Sequence, residues 1–187
     1  MTNQRLVKTN TVKKLKNFWR TSQEAYNDAC YLCGVSKFDI DVAASRENKL
    51  CTYYIDENQN ALSFESWFAD DCVGLNAVWC NPPFDQKTQF LDKAYEQISK
   101  SNSSKLICMM IPYEPATKWW RNHVHDKASI VYVPDGRYCF RHPETGELMG
   151  DVNFASCFVI FSGFKGPTTY HHFNRGCAAH AELEKAS

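Results

Sequence analysis

The sequence predicts an α/β fold in which a mostly parallel sheet carries helices on both faces. Short apolar runs alternate along the chain with segments that have the periodicity of amphipathic helices. These runs are apolar at nearly every position, which is typical of strands that are covered on both faces. One run ends at Pro82 and Pro83, which fix their φ angles and donate no hydrogen bond, so the chain must leave the sheet there.

Before these prolines the pattern predicts one helix and three short strands. Thr21 or Ser22 can cap the start of the helix, and Gly34 is positioned to end it. Residues 60–68 fit either a helix or a loop. The strands are predicted at residues 38–44, 51–55 and 76–80.

After the prolines two helices and three strands are predicted. Apolar residues at helical spacing between Phe90 and Ile98 predict the first helix, which Asp85 is positioned to cap. Polar residues at 101–103 end it, and a second helix is predicted at residues 116–125. The strands are predicted at residues 105–111, 129–133 and 154–161, with a polar excursion at 135–153 before the last.

The length and composition favour one soluble, unsecreted domain. The chain has 187 residues, of which 44% are apolar, and this is enough for one domain with a sizeable core. Its apolar runs are too short to cross a membrane, and its N-terminus lacks the apolar segment of a secretion signal.

The nine cysteines predict reduced thiols, because their number is odd and several fall in predicted strands and helices. Only Cys30 and Cys33 have the spacing of metal ligands. No second pair completes a set of four ligands, so no metal site is predicted. His171, His172 and His180 fall in a polar tail assigned to residues 163–187, where we expect solvated side chains.

The charged residues are unevenly distributed, although the formal net charge is zero. The first 20 residues hold six basic side chains and no acidic one, and we assign a basic arm to residues 1–17 and the main domain to residues 18–162. Such an arm can bind phosphate groups, although a solvated tail is an equally common reason for it. Residues 50–86 carry six acidic side chains and neither Lys nor Arg, so we do not expect them to contact phosphate.

The segment Asn81-Pro82-Pro83-Phe84 points to a specific chemistry. It follows a predicted strand, at the edge where open α/β sheets bind ligands. The prolines hold an amide oxygen, a backbone carbonyl and an aromatic ring in one rigid cluster. Two acceptors beside a stacking face suit a planar amine. The alternative is a turn that only terminates the strand.

We call the segment Asn81-Pro82-Pro83-Phe84 the corner. Other motifs accompany it in the sequence. They are Phe18-Trp19-Arg20-Thr21, residues 38–44, Asn48 with Cys51, Asn60-Ala61-Leu62, Trp67, Ile111-Pro112, Thr117-Lys118-Trp119, Gly136-Arg137, Phe140 and Ser156. Their order and spacing resemble those of the phage-type DNA N6-adenine methyltransferase family, and the match runs from about Trp19 to Phe161. The resemblance implies a Rossmann-like methyltransferase fold, S-adenosylmethionine as the methyl donor, and a place in the host cytoplasm if a phage encodes the protein.

The resemblance also implies that the corner is catalytic, through Asn81, Pro82, Pro83 and Phe84. Asn81 and the carbonyl of Pro82 would each accept a hydrogen bond from the target amine, and Phe84 would stack on an adenine extruded from double-stranded DNA. Because the amine lone pair then faces the methyl donor, catalysis is chiefly positioning. Tyr113 is either a second stacking partner or a loop tyrosine.

The same resemblance implies a donor site at Trp19, Thr21, Asp41, Ala43, Asn60 and Asn81. Asp41 can accept from the ammonium group or the ribose of the donor, or it can instead cap a helix. The chain departs from the family at Ser22, where Pro is usual, and at Asn60, where Asp is usual. We expect the second departure to weaken donor binding, since an amide oxygen is a weaker acceptor than a carboxylate.

No separate target-recognition domain fits in this length, so contacts with DNA are expected at the rim of the same site. The candidates for phosphate or base contacts are Lys87, Lys118, Arg121, Arg137 and Arg141. Arg137 is the one that the resemblance favours. Three alternatives stay open: methylation of cytosine N4, methylation of a protein glutamine, and a non-catalytic relative that binds only the donor or DNA.

Overall fold

The structure, a computed structural model, describes residues 17, 19–68, 76–101, 104–149, 154–164 and 166–186. The basic arm predicted at residues 1–17 lies outside these residues, except for Asn17. The strands are β1 (Arg20–Thr21), β2 (Ile40–Asp41), β3 (Tyr53–Tyr54), β4 (Ala77–Cys80), β5 (Leu106–Pro112), β6 (Ile130–Pro134), β7 (Phe140–Arg141), β8 (Leu148–Met149), β9 (Ser156–Ser162) and β10 (Thr169–Phe173). The helices are α1 (Gln23–Cys33), α2 (Lys87–Lys100), α3 (Lys118–His123) and α4 (Cys177–Ala186), with a 3₁₀ helix at Ala61–Ser63.

Seven strands form one sheet in the order β10-β6-β9-β5-β4-β2-β3. All neighbours in this sheet are parallel except β9, which runs antiparallel to both β5 and β6. The predicted mostly parallel sheet is therefore confirmed. A second, antiparallel sheet joins β1, β7 and β8.

Helices cover both faces of the large sheet, as predicted. Ile107, Met109 and Ile111 of β5 belong to a core cluster that includes residues of α2 and α3. The intervening Cys108 and Met110 belong to a cluster that includes residues of α1, and α4 lies against α1. This arrangement explains why β5 is apolar at successive positions.

The capping signals predicted for α1 are confirmed. The Ser22 hydroxyl accepts from the Ala25 N–H at 3.4 Å and caps α1, which ends at Gly34 in the left-handed region with φ +67°. Thr117 caps α3 in the same way, through the Trp120 N–H. The predicted cap at Asp85 is wrong. The N-cap of α2 is Gln86, which makes no side-chain capping bond, and the Asp85 carboxylate instead accepts from the Asn17 side-chain amide at 2.9 Å.

The structure also contains elements that the pattern does not predict. The polar excursion at 135–153 contains the short strands β7 and β8, and the segment predicted as a polar tail contains β10 and α4. β10 pairs with β6 along the edge of the large sheet. Most side chains of β10 and α4 are exposed, so these elements lack the apolar periodicity that reveals the others.

The described cysteines are free thiols, and burial raises the pKa of Cys80, Cys108 and Cys157 well above the usual value. In the ranges that the structure describes, no helix is both long and apolar enough to cross a lipid bilayer.

Candidate active site

The corner lies at one edge of the large sheet, where several strands end. Because β2, β4 and β5 are parallel, their carboxyl ends meet at this edge. Asp41 ends β2, Asn81 directly follows β4, and Tyr113 directly follows β5. The topology thus brings together polar residues that are 30 or more positions apart in the sequence.

The Asn81 side chain has a defined orientation. Its Nδ2 donates a hydrogen bond to Thr21 Oγ1 at 3.0 Å. Thr21 is only 8% exposed and lies on β1, which pairs with β7 through Thr21 and Phe140. With the amide nitrogen bound to Thr21, the Asn81 Oδ1 has no hydrogen-bond donor in the part of the chain that the structure describes, and it is available to a ligand.

Two cavities meet at Asn81, and its side chain is part of the wall of each. We call the larger the donor cavity; it spans about 370 Å³ when the space open to solvent is included. It is lined by Asn17, Trp19, Arg20, Thr21, Asp41, Ala43, Asn48, Leu50, Trp79, Asn81 and Pro83. We call the smaller the target cavity; it spans about 240 Å³ when the space open to solvent is included. It is lined by Asn81, Pro82, Phe84, Lys87, Met110, Ile111, Pro112, Phe140, Phe154 and Ser156.

Asp41 is a buried carboxyl group in the wall of the donor cavity. It is 4% exposed, and its two oxygens accept from the backbone N–H groups of Ala43 and Leu50, both at 3.3 Å. Burial raises its pKa to about 7, against the lowering effect of these hydrogen bonds. No helix begins after Asp41, so the alternative of a helix cap is wrong.

Five of the six residues predicted for the donor site line the donor cavity, and Asn60 does not. Asn60 is exposed, has φ +54°, and its Oδ1 accepts from the Leu62 N–H at 3.3 Å to cap the 3₁₀ helix. Asn48 and Leu50 line the cavity although neither was predicted for the donor site. Asn48 was available as part of a family motif, but its side chain reaches the cavity only because a turn at residues 45–48 folds back beside β2.

Aromatic rings surround the junction of the two cavities. Phe84 packs edge-on against Phe154, with ring centroids 5.0 Å apart and planes at 80°, and against Trp19 at 6.1 Å and 86°. Trp19 and Phe154 are nearly parallel, at 6.0 Å and 11°. Phe154 was missed because nothing in its local sequence marks it as different from a core aromatic residue. Tyr113 packs edge-on against Trp120 at 5.4 Å and lines neither cavity.

The five candidate DNA contacts differ in what their side chains bind. Lys87 lines the target cavity, where its Nζ lies 3.4 Å from the Phe84 carbonyl oxygen and 4.9 Å from the centre of a Trp119 ring. Lys118, Arg121 and Arg137 are exposed. Arg141 is also exposed, but its guanidinium donates to the Gly146 carbonyl at 2.9 Å and so supports the turn between β7 and β8.

Comparisons with known proteins give one family. A family model for DNA N-6-adenine-methyltransferase (Dam) matches residues 8–181. A DNA N-6-adenine-methyltransferase of Escherichia phage T1 is 30% identical over 173 residues, which cover 84% of this chain and 67% of the relative. A DNA N-6-adenine-methyltransferase of Haemophilus phage HP1 (strain HP1c1) is 30% identical over 156 residues, which cover 83% of this chain and 84% of the relative.

Proposed function

The chain belongs to the DNA N-6-adenine-methyltransferase family, and from this premise we propose that it transfers a methyl group from S-adenosylmethionine to the N6 amine of an adenine flipped out of double-stranded DNA. We also propose that its α/β sheet is of the Rossmann-like methyltransferase type, with residues 1–17 as a basic arm before the catalytic domain. The observation that carries the proposal is the position of Asn81 in the wall between two cavities.

The residues that line the donor cavity suit S-adenosylmethionine in their chemistry. The ionised Asp41 would accept a hydrogen bond from the ammonium group or the ribose, and Ala43 leaves room for close approach to the backbone. The ring of Trp19 adds an apolar wall. When bound, this donor supplies a methyl group on a sulfonium sulfur, which departs as a neutral thioether.

The target cavity suits a planar amine. The Asn81 Oδ1 and the Pro82 carbonyl would accept the two amine hydrogens, which draws the nitrogen lone pair out of conjugation and directs it toward the donor cavity. The methylated nitrogen is cationic until it releases a proton to water, so no side chain is required as a base before the transfer. Phe84 is the proposed stacking partner of the base.

The target base must leave the duplex to reach this corner, at a cost of a few kcal/mol that stacking partly offsets. Lys87, Lys118, Arg121, Arg137 and Arg141 remain the proposed contacts with DNA. Lys87 is the best placed of them for the extruded nucleotide, because it lines the target cavity itself. Asn60 lies outside the donor cavity. We therefore do not expect the replacement of the usual Asp by Asn at this position to change donor affinity through a direct contact with the donor.

The test is to incubate the protein with radiolabelled S-adenosylmethionine and unmethylated double-stranded DNA, and then to digest the DNA to nucleosides. We expect label in N6-methyl-2′-deoxyadenosine. Label in N4-methylcytosine would change the substrate, and retained donor binding without label in DNA would favour a non-catalytic relative. If a second protein is added to the same incubation, label in that protein instead of the DNA would indicate the alternative of a glutamine substrate.

A further inference from the structure

We propose that Thr21 is a positioning residue that sets the orientation of the Asn81 amide for catalysis. The observation is the hydrogen bond from Asn81 Nδ2 to Thr21 Oγ1, at 3.0 Å. The inference rests on the proposed function, because it assumes that Asn81 Oδ1 accepts a hydrogen from the target amine. Thr21 would act only through Asn81 and need not touch the target base.

The amide of Asn81 must point one way for this chemistry, and its two ends are similar in size. The productive orientation presents Oδ1 to the amine. A reversed amide would present its own N–H groups to the N–H groups of the substrate, so that two donors would face each other and no hydrogen bond would form. The following prolines restrict the backbone beside Asn81 but do not fix the rotation of its side-chain amide.

Thr21 is held firmly, and it imposes this orientation through its role as acceptor from Nδ2, since a hydroxyl that donated instead would favour the reversed amide. Its side chain is buried at 8% exposure, and its backbone pairs with Phe140 across the β1–β7 ladder. Phe140 lines the target cavity, so one pair of short strands supplies both a wall of that cavity and the partner of the Asn81 amide. Among the residues that the structure describes, Thr21 is the side chain that hydrogen-bonds Asn81.

A direct contact with the methyl donor is the competing role, since Thr21 also lines the donor cavity. The two roles differ in what a substitution changes. Loss of a donor contact weakens donor affinity, whereas loss of the amide orientation slows methyl transfer after both ligands are bound.

The test compares Thr21→Val and Thr21→Ser in the full chain. Val keeps the branched shape but has no acceptor, whereas Ser keeps the hydroxyl. For Thr21→Val we expect the single-turnover rate of N6-adenine methylation to fall by about tenfold or more. We expect donor affinity, measured by calorimetry with S-adenosylhomocysteine, to stay within about threefold of wild type. Thr21→Ser should recover most of the lost rate.

Thr168→Val is the matched control. Thr168 is buried at 9% exposure, and its hydroxyl bonds the Ala128 carbonyl at 2.7 Å, yet it lines neither cavity. The control should lower the melting temperature and leave the rate per folded molecule unchanged. This separates a general effect of a lost buried hydroxyl from an effect on the amide of Asn81.

A wild-type rate in Thr21→Val, or a loss that appears in donor affinity with the rate at saturation unchanged, would overturn the positioning role. A rate that Thr21→Ser does not recover would also overturn it, because the hydroxyl would then not be the group that matters. Failure of the proposed function has a different signature: wild-type protein itself would leave no N6-methyladenine in the same assay.

Discussion

At the scale of single residues, Asn81 joins the two halves of the proposed reaction. It lies between the cavity assigned to the methyl donor and the cavity assigned to the base, and its amide nitrogen is already bound to Thr21. The remaining oxygen is thus the acceptor that a target amine would meet. The value of this residue lies in where its oxygen is held rather than in any change of its charge.

Asn81→Ala should therefore lose nearly all methyl transfer, by about a hundredfold or more, because the amine loses an acceptor that orients it. Donor affinity should change by only about fivefold or less, since the donor cavity keeps its other walls. Rate and affinity are measured by single-turnover methylation and calorimetry. Asn76→Ala, just before the opposite end of β4, is the matched control. Substantial turnover by Asn81→Ala would contradict the mechanism.

We expect Asp41 to make donor binding dependent on pH. Its pKa is raised to about 7 by burial, so the carboxylate forms as the pH rises through 7. If the ionised form binds the donor, affinity should fall about tenfold between pH 8 and pH 6. Calorimetry across this range measures it, and Asp41→Asn should show a flat profile. An equally steep profile in Asp41→Asn would place the titrating group elsewhere.

The raised pKa of Asp41 also makes the free energy of unfolding depend on pH, and the direction of this dependence is defined. The folded state favours protonated Asp41, so the stabilising contribution is present below about pH 4 and is lost as the pH rises through 7. A bound donor that contacts the carboxylate would offset this loss.

At the scale of elements, α4 is tied to α1 through one buried carboxyl group. Asp28 is 1% exposed and accepts from the Tyr138 hydroxyl at 2.6 Å, from the Gly176 N–H at 2.7 Å and from the Ala178 N–H at 3.1 Å. The last two donors belong to the start of α4, where backbone N–H groups have no partners within the helix. Asp28 thus caps α4 from a neighbouring helix.

Asp28→Ala should lower the free energy of unfolding by about 2–4 kcal/mol, because it leaves one buried and two partly buried donors without an acceptor. Urea denaturation measures this change. Tyr138→Phe is the matched control, since it removes one hydrogen bond and should cost only about 1 kcal/mol. Equal losses in the two variants would show that α4 does not depend on this cap.

The elements that could be predicted from the sequence are those with a local signal. Ser22 and Gly34 bound α1 as predicted, and β4 and β5 follow their apolar runs. The reversal of β9 and the existence of β10 had no such signal. Strand β10 is held by main-chain hydrogen bonds to β6, and its side chains are mostly exposed. Because main-chain pairing does not require particular side chains, the sequence of β10 does not predict a strand.

The candidate site shows the same division between local and long-range information. Most of the predicted donor residues meet around one cavity because each follows, or lies close to, the end of a strand. Asn60 matched a motif, yet its side chain caps its own 3₁₀ helix. The position of Phe154 at the site and the hydrogen bond between Thr21 and Asn81 both depend on the pairing of strands β1 and β7. This pairing joins distant parts of the sequence, and only the folded chain shows it.

At the scale of the whole molecule, charge is unevenly distributed along the chain. The chain has 21 basic and 21 acidic side chains, but the first 20 residues hold six basic and no acidic ones, and the stretch 50–86 has only acidic ones. Two of the proposed DNA contacts follow strands that end at the site edge: Lys118 begins α3 soon after β5, and Arg137 follows β6. DNA would thus approach the edge where the target cavity opens.

This placement predicts how DNA affinity depends on salt. Each lysine or arginine that contacts a phosphate releases counterions, so its loss should reduce the slope of log affinity against log salt by about 0.9. We expect this reduction for Lys118→Gln and for Arg121→Gln, measured by fluorescence anisotropy over a range of salt concentrations. Lys100→Gln is the matched control: Lys100 is exposed, ends α2 and is paired with Glu96 at the opposite edge of the sheet. If the slope is unchanged in the α3 variants but falls when Lys13, Lys14 and Lys16 are changed to Gln, the basic arm, and not α3, carries the phosphate contacts.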